Sequence, residues 1–205
     1  MDQWRRAHGI DCIYLLAGIE QLETIRRAEL AGFRFTDLRV TLERAVHAVA
    51  PDTAHDAIRP FQAADLPALK QMARDLHHDS RFHVDSRFPP DRSSALFATW
   101  IEKACGDPEY RVFVADIDGR PAGYIACQRV SEAGRIQLLG VDATARNRGV
   151  GRQLVDCALN WLATERATHA TVVTQGRNIA AQRLYQKRGF LTSSIGVWYH
   201  WWRDP

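Results

Sequence analysis

The apolar residues of this 205-residue chain follow two periods that alternate along most of its length. Residues 136–141 form a short apolar run, the length of one buried strand. A polar loop over 142–148 follows. Gly149-Val150-Gly151 then opens a stretch in which Val150, Leu154, Val155, Ala158, Leu159 and Leu162 share one helical face. Residues 170–175 predict a further strand, and 197–203 alternate with many aromatics, as a closing strand covered on both faces does. Upstream, Leu66, Leu69, Ala73 and Leu76 recur at helical spacing behind Asp65, a candidate N-cap, with Pro67 in the first turn. Leu96, Phe97, Trp100, Ile101 and Ala104 make a helical face over 93–105. Residues 111–116 and 121–130 predict a hairpin across Asp118-Gly119. The 77–90 stretch is polar, aromatic and Arg-rich, and predicts a loop without helix or strand. Strands and helices in this order predict an α+β fold around a mixed sheet.

The first fifty residues read as strand, helix and strand: an apolar run at 12–16, a helix over 20–31 ended by Gly32, and an alternating strand from Phe33 to Leu42. Matching Phe33 to Phe190 sets an offset of 157 residues (190 − 33), and Leu15-Leu16 then fall on Val172-Val173. The stretch is a weak internal repeat of the chain's end. It forms a degenerate half-domain over 1–50, joined by an alanine-rich linker at 46–56 to a main domain over 56–205. Gln21 stands where Asn178 does and Ala28 where Tyr185 does, so the first copy is expected to be structural.

Composition narrows the class without choosing a function. Hydrophobic content of 46% and charged content of 25% are ordinary for a globular protein, and no run approaches the length of a membrane span. A net charge of +3 suits a small anionic ligand and is too slight and scattered for nucleic acid. The four cysteines lack any CxxC or metal spacing; they are expected to be small buried residues in a reducing cytoplasm, and no metal site is expected.

A strand, a glycine-containing loop and a helix start together make an anion cradle. The first turn of a helix carries unpaired N–H groups and a partial positive charge, glycines let a phosphate approach, and Arg146, Arg148 and Arg152 add charge. A P-loop would need Lys and then Ser/Thr after the last glycine, and a dinucleotide fingerprint a third glycine. Arg152-Gln153 and Leu154 exclude both. The sequence Arg146-Asn147-Arg148-Gly149-Val150-Gly151 instead resembles the R/Q-x-x-G-x-G/A loop of the GNAT superfamily of N-acetyltransferases. Asn178, Ala181, Leu184, Tyr185, Gly189 and Phe190 resemble its N-x-x-A-x-x-L-Y-x-x-x-G-F signature, at family spacing downstream. Three further stretches resemble one branch, the dTDP-fucosamine acetyltransferases: the N-terminal strand–helix–strand, the block from Ser80 to Lys103, and the Trp-Tyr-His-Trp-Trp ending. That branch has a further strand pair before its first helix, which this sequence does not show.

The resemblance implies a GNAT fold and acetyl transfer from acetyl-CoA to a primary amine, with a nucleotide-linked amino sugar as the expected acceptor. Another amine, or CoA binding without catalysis, stays open, as does a homodimer. The pantetheine arm is expected along Leu138, Leu139, Gly140 and Val141, with the Leu139 N–H as oxyanion donor. The pyrophosphate is expected over Arg146, Asn147, Arg148, Gly149, Val150, Gly151 and Arg152. Asn178 and Arg177 would help hold the arm and the phosphates, with Ala181 also at the cofactor. Tyr185 is the expected general acid, because a phenol titrates near 10 and carries its proton at neutral pH, where a carboxylic acid would already be ionised. Arg81, His83, Asp85, Arg87 and Gln175 are expected at the acceptor, with His83, Asp85 or a water chain as base. Trp100 and Phe88 are expected in the core.

Overall fold

A computed structural model describes residue 4 and residues 7–47 and 57–203; from residue 48 on, the linker expected at 46–56 lies outside the described residues. In chain order the elements are β1 (Cys12–Gly18), α1 (Leu22–Leu30), β2 (Arg34–Ala45), β3 (Ile58–Pro60), a 3-10 turn (Ala63–Asp65), α2 (Leu66–Asp75), α3 (Arg81–Val84) and α4 (Pro90–Gly106). They continue with β4 (Tyr110–Ile117), β5 (Arg120–Val130), β6 (Ala133–Val141), a second 3-10 turn (Ala143–Ala145), α5 (Val150–Thr164), β7 (His169–Gln175), α6 (Ile179–Lys187) and β8 (Leu191–Trp202).

All eight strands belong to one mixed sheet, ordered β1-β8-β2-β7-β6-β5-β4-β3. Only β6 and β7 pair in parallel. Alternation sorts the apolar side chains between the faces. Phe113, Ala115, Ile125 and Cys127 pack with α5, whereas Val112, Val114, Tyr124 and Ala126 pack with α2 and α4. The β4–β5 turn has Asp118 at φ 52° and Gly119 at φ 76°, the two left-handed residues of a tight hairpin turn.

Three local expectations change. The 77–90 stretch is not devoid of structure, since it holds α3. Asp65 does not cap α2; its carboxylate takes Arg59 Nη1 and Nη2 at 2.8 and 2.9 Å and the Gln62 N–H at 2.8 Å. Helix α4 starts at Pro90, where the fixed φ of proline suits a first turn, rather than at Ser93. Among the cysteines, only Cys127 is fully buried; all four are free thiols.

The internal repeat is regular in three dimensions. An offset of 157 (190 − 33) carries Cys12–Gly18 onto His169–Gln175, Leu22–Leu30 onto Ile179–Lys187 and Arg34–Ala45 onto Leu191–Trp202. Pairing obeys the same relation. Leu38↔Val197 and Val40↔Ile195 flank Arg39↔Gly196 as mirror pairs, and Leu15↔Tyr199 answers Leu42↔Val172. The two copies are therefore related by a local two-fold centred on Arg39 and Gly196. Strand β2 lies between β7 and β8, so backbone hydrogen bonds tie the 1–50 stretch into the sheet of the rest on both sides of that strand.

Leu42, fully buried on β2, belongs to the same core cluster as Leu154, Leu159 and Val172. Leu42→Ala should cost about 2–5 kcal/mol, the usual range for a deleted core side chain, and should lower the midpoint of one cooperative unfolding transition. Two separate transitions in calorimetry would show instead that the first fifty residues fold as an independent unit.

Candidate active site

Strands β6 and β7 are paired only from Ala133↔His169 to Ile136↔Val172, although β6 runs on to Val141 and β7 to Gln175. The cause lies on the other side of β6. The β5–β6 register slips between Cys127↔Ile136 and Ala126↔Leu138, leaving Gln137 as the extra residue of a β-bulge. Packing shows the same slip. Ile136 and Leu138, two apart, face opposite cores, and Leu139 packs with Ile136's. Beyond the bulge the Asp142 N–H donates to the Ala122 carbonyl, so by alternation Gly140 and Leu138 also turn their backbone groups toward β5. Leu139 and Val141 turn theirs into the gap. Of the four residues expected to pair with an extended ligand, Leu139 and Val141 turn backbone groups into the gap, where the Val141 carbonyl accepts Arg146 Nε at 3.3 Å, and Leu138 and Gly140 do not. Gly140 has another reason to lack a side chain: a Cβ there would lie 2.7 Å from the Tyr124 ring.

The gap opens into a cleft of about 340 Å³, within the range of small-molecule sites. From β6 and β7 it is lined by Gln137, Leu138, Leu139, Val173, Thr174 and Gln175, and from α6 by Asn178, Ala181 and Tyr185. Asn178 caps α6, its Oδ1 accepting the Ala181 N–H at 3.0 Å. Tyr185, at the helix's inner end, is 4% exposed and edge-on to Phe190, and burial pushes its phenol pKa well up. It therefore stays protonated at any ordinary pH.

The opposite wall comes from α3, α4, β2 and β8, through Arg81, Phe82, Phe97, Trp100, Asp37, Arg39 and Trp198. The Arg81 guanidinium sits 3.9 Å from the Trp198 ring centroid, 4.1 Å from Phe82 and 5.3 Å from Tyr14. It makes no ion pair among the described residues, and its buried Nε has no hydrogen-bond partner. Burial lowers its pKa, although a guanidinium remains charged.

The other residues expected at the acceptor divide. Gln175 and Arg81 line the cleft; His83, Asp85 and Arg87 do not. His83 has both ring nitrogens engaged, Nδ1 with Ser80 Oγ at 2.9 Å and Nε2 with Ser94 Oγ at 3.2 Å, so it is not placed to act as a base. Asp85 Oδ2 accepts from His200 Nδ1 at 2.6 Å and Trp202 Nε1 at 2.8 Å, pinning the α3 segment to β8. Arg87 is exposed. Trp100 is 40% exposed in the cleft wall rather than in the core. Phe88 packs among Tyr14, Phe82, His200 and Trp202 behind Asp85. Arg177 is not free for phosphates: its Nη2 donates to the Thr36 carbonyl at 2.8 Å and its Nε to Asp37 Oδ1 at 3.4 Å.

The candidate phosphate loop lies beyond the cleft, at the mouth of α5. Asn147 (φ 61°) and Gly149 (φ 80°) are both left-handed, and nothing occupies the space beside Gly149. Alternating hands of this kind turn successive N–H groups into one concavity. The first-turn N–H groups of Val150 and Gly151 have no intrahelical acceptor, so the loop fits a pyrophosphate. Gly151 also lets α6 close in, since a Cβ would meet Leu184 Cδ2 at 3.3 Å. Arg146 folds back, its Nε donating to the Val141 carbonyl at 3.3 Å, while Arg148 is exposed.

Sequence reading passed over Asp37, Arg39, His77, Phe82, Gln137, Thr174 and Trp198. His77 Nε2 lies 2.8 Å from Tyr124 Oη and its ring stacks on Phe97 at 4.5 Å. Burial, and then the charges of His83 and His78, push its pKa down to about 4. The only hint of Asp37 was an acid within an alternating strand, where Asp is disfavoured.

Comparison with known proteins gives a consistent result. The sequence model described as Acetyltransferase (GNAT) family matches residues 70–190. The dTDP-fucosamine acetyltransferase of Escherichia coli is 31% identical over 172 residues, covering 82% of this chain and 72% of that protein. Spore coat polysaccharide biosynthesis protein SpsD of Bacillus subtilis is 23% identical over 74% of this chain and 55% of its own length. Among solved structures, a GCN5-related N-acetyltransferase from Sphaerobacter thermophilus superposes with a TM-score of 0.69 over 100% of this chain and 66% of its own, at 15% identity. No helix among the described residues is long and apolar enough to cross a membrane.

The half-buried His77 gives a pH test. Its folded pKa of about 4 lies below the unfolded imidazole's, so the unfolded chain binds the extra proton and stability falls as pH drops from about 6.5 toward 4. Between pH 7.5 and 4.5, wild type should lose about 2–3 kcal/mol more than His77→Gln, which cannot take the proton. Equal losses in urea melts would mean that His77 already carries its proton in the fold.

Proposed function

The chain belongs to the GNAT family of acetyltransferases, which use acetyl-CoA as co-substrate, and on that premise we propose that its acceptor is the primary amine of a nucleotide-linked amino sugar. The single observation behind the acceptor is Arg81. A guanidinium that makes no ion pair among the described residues, held between aromatic faces in the cleft wall, is suited to a phosphate-bearing acceptor. Phe82, Trp100 and Trp198 beside it offer flat surface to a base or a sugar ring. The 31% identical relative acts on a compound of this kind by its name.

The roles of the residues follow from their placement. The N–H groups of Val150 and Gly151 would hold the donor's pyrophosphate, with Asn147 and Gly149 shaping the loop. Leu139 and Val141 would pair with the pantetheine arm as an added strand does, alongside Leu138, Asn178 and Ala181. The Leu139 N–H, fixed in direction by the bulge, would stabilise negative charge developing on the acyl oxygen; one such donor is worth about 10²–10³ in rate. Tyr185 would protonate the departing sulfur. Its raised pKa keeps it protonated but makes it a weaker acid, so the transfer draws on sulfur charge that develops unsolvated in the cleft and is the stronger base there.

Tyr185→Phe should lower kcat at least roughly a hundredfold with the acetyl-CoA KM unchanged. Turnover at the wild-type rate would remove the phenol from the reaction. Arg81→Glu should raise the KM for a nucleotide-linked amino sugar and leave that for acetyl-CoA alone. Thiol release measured across nucleotide-linked amino sugars, aminoglycosides and peptides tests the acceptor class, and preference for an uncharged or cationic amine would overturn it.

A further inference from the structure

Asp37 lies on β2, in the copy of the repeat that lacks counterparts of Asn178 and Tyr185, yet its carboxylate lines the cleft those residues line. It is 2% exposed. A bulge aims it: β2 pairs with β8 as Phe35↔Tyr199 and then Asp37↔Trp198, with Thr36 as the extra residue. Asp37 thus stands opposite Trp198, the ring on which Arg81 is stacked. One oxygen is occupied and the other is not. Oδ1 accepts the Leu38 N–H at 2.8 Å and Arg177 Nε at 3.4 Å, while no donor among the described residues reaches Oδ2. A carboxylate oxygen that opens on a cleft from a side chain otherwise buried favours a ligand that brings both hydrogen and positive charge.

We propose that Asp37 binds the acceptor's ammonium group through Oδ2 and takes its proton, delivering the neutral amine to the thioester. This rests on the amine-acetylating reading above and adds to it the missing base. An ammonium has no lone pair, so the N–H bond must break before the C–N bond can form. The proton passes to the carboxylate and from there to water. The amine nitrogen attacks the acyl carbon and the C–S bond breaks. Tyr185 gives its proton to the sulfur and is reprotonated, through solvent, by the second proton that the nitrogen sheds. The products are an amide, a free thiol and one proton released to water.

The charged groups facing Asp37 are Arg177, from the segment after β7, and Arg81, from α3. Arg39, two residues along β2, directs its guanidinium to Thr41, and His200 on β8 is held by Asp85. Burial raises the carboxyl's pKa, and the Arg177 charge, the Leu38 N–H and Arg81 act against that rise. Arg177 therefore acts as a positioning residue: it fixes Oδ1 and keeps Asp37 ionised until the ammonium arrives.

The test compares wild type, Asp37→Asn and Asp37→Glu by thiol release across pH, with nucleotide-linked 4-amino sugars and the other amines of the panel as acceptors. Asp37→Asn should lower kcat/KM for the amine roughly a hundredfold at pH 7 and recover progressively as pH rises and neutral amine accumulates. Its acetyl-CoA KM should not move, and Asp37→Glu should restore part of the rate. An unchanged acid limb in Asp37→Asn, or acetyl-CoA KM rising in step, overturns the assignment. A second readout does not need turnover: the ¹³C carboxyl resonance of Asp37 in the wild-type chain, titrated with methylammonium and with the amino sugar. A saturable shift supports the proposal even where no amine releases thiol, a result that would sink the acyl-transfer reading alone. A resonance unmoved by either amine overturns the role of Asp37 even if every amine is acetylated.

Discussion

The single extra residue at Gln137 is the constraint on which the site depends. A strand inside a sheet normally spends its backbone groups on both neighbours. The bulge lets β6 keep its ladder with β5 while it parts from β7 after Ile136. The N–H and C=O groups of Leu139 and the N–H of Val141 then face a gap in the middle of the sheet rather than an outer edge, while the Val141 carbonyl accepts Arg146 Nε. Unpaired backbone in such a place is costly unless water or a ligand satisfies it. The same holds at the mouth of α5, where first-turn N–H groups and the left-handed Asn147 and Gly149 make a second unsatisfied surface. These two surfaces lie at opposite ends of the segment from Leu139 to Gly151. A molecule with an extended amide-bearing arm and a pyrophosphate satisfies both, and acetyl-CoA is such a molecule.

Much of this was legible in the sequence because it rests on local pattern. The α5 face, the β4–β5 turn and the 157-residue repeat (190 − 33) all survive within a residue or two, since apolar periodicity and glycine placement act over short distances. The bulges were not legible. Neither Gln137 nor Thr36 has a composition that marks it; each is defined by where the partner strand happens to pair. Helix α3 escaped for a related reason. Four residues cannot nucleate a helix on their own, and this one is held by Ser93 Oγ on the Phe82 carbonyl and by Asp85 reaching β8 across 115 residues of sequence. The same long-range bonds decide which loop residues face the cleft. His83 and Asp85 have the right chemistry, but their polar atoms are consumed by Ser80, Ser94, His200 and Trp202. Arg81, one turn away, is left to the cleft.

The repeat explains how a short N-terminal copy can matter to a site it does not carry. Two strand–helix–strand units pair across a local two-fold, so the last strand of each lies between the two strands of the other or against its first strand. Strand β2 accordingly reaches the cleft edge of β7, with Arg39 opposite Gln175 and Asp37 three positions from the first residue of the strand. The copy that holds Asn178 and Tyr185 lines one side of the cavity, and the copy without their counterparts supplies Asp37 and Arg39 to the same cavity. Both can reach it because the two-fold brings the end of each copy to the open side of its mate.

Charge in the cleft wall then argues for what the cavity receives. Arg39 and Arg81 in the wall and Arg177 beside it bring three positive charges and Asp37 one negative, and the Arg177–Asp37 pair cancels one of each. Of the other two guanidinium groups, that of Arg39 bonds Thr41 and that of Arg81 lies 3.9 Å from Trp198 and 4.1 Å from Phe82. Aromatic faces return about 0.5–2 kcal/mol to a cation, far less than the several kcal/mol that taking an ion out of water costs. The rest has to come from the packing that forces the side chain there and from the anion that enters. An amine alone would be repelled by this wall, and an anion alone would leave Asp37 Oδ2 unsatisfied. A molecule carrying both an ammonium and a phosphate, with flat apolar surface between them, answers every unspent group in the wall at once.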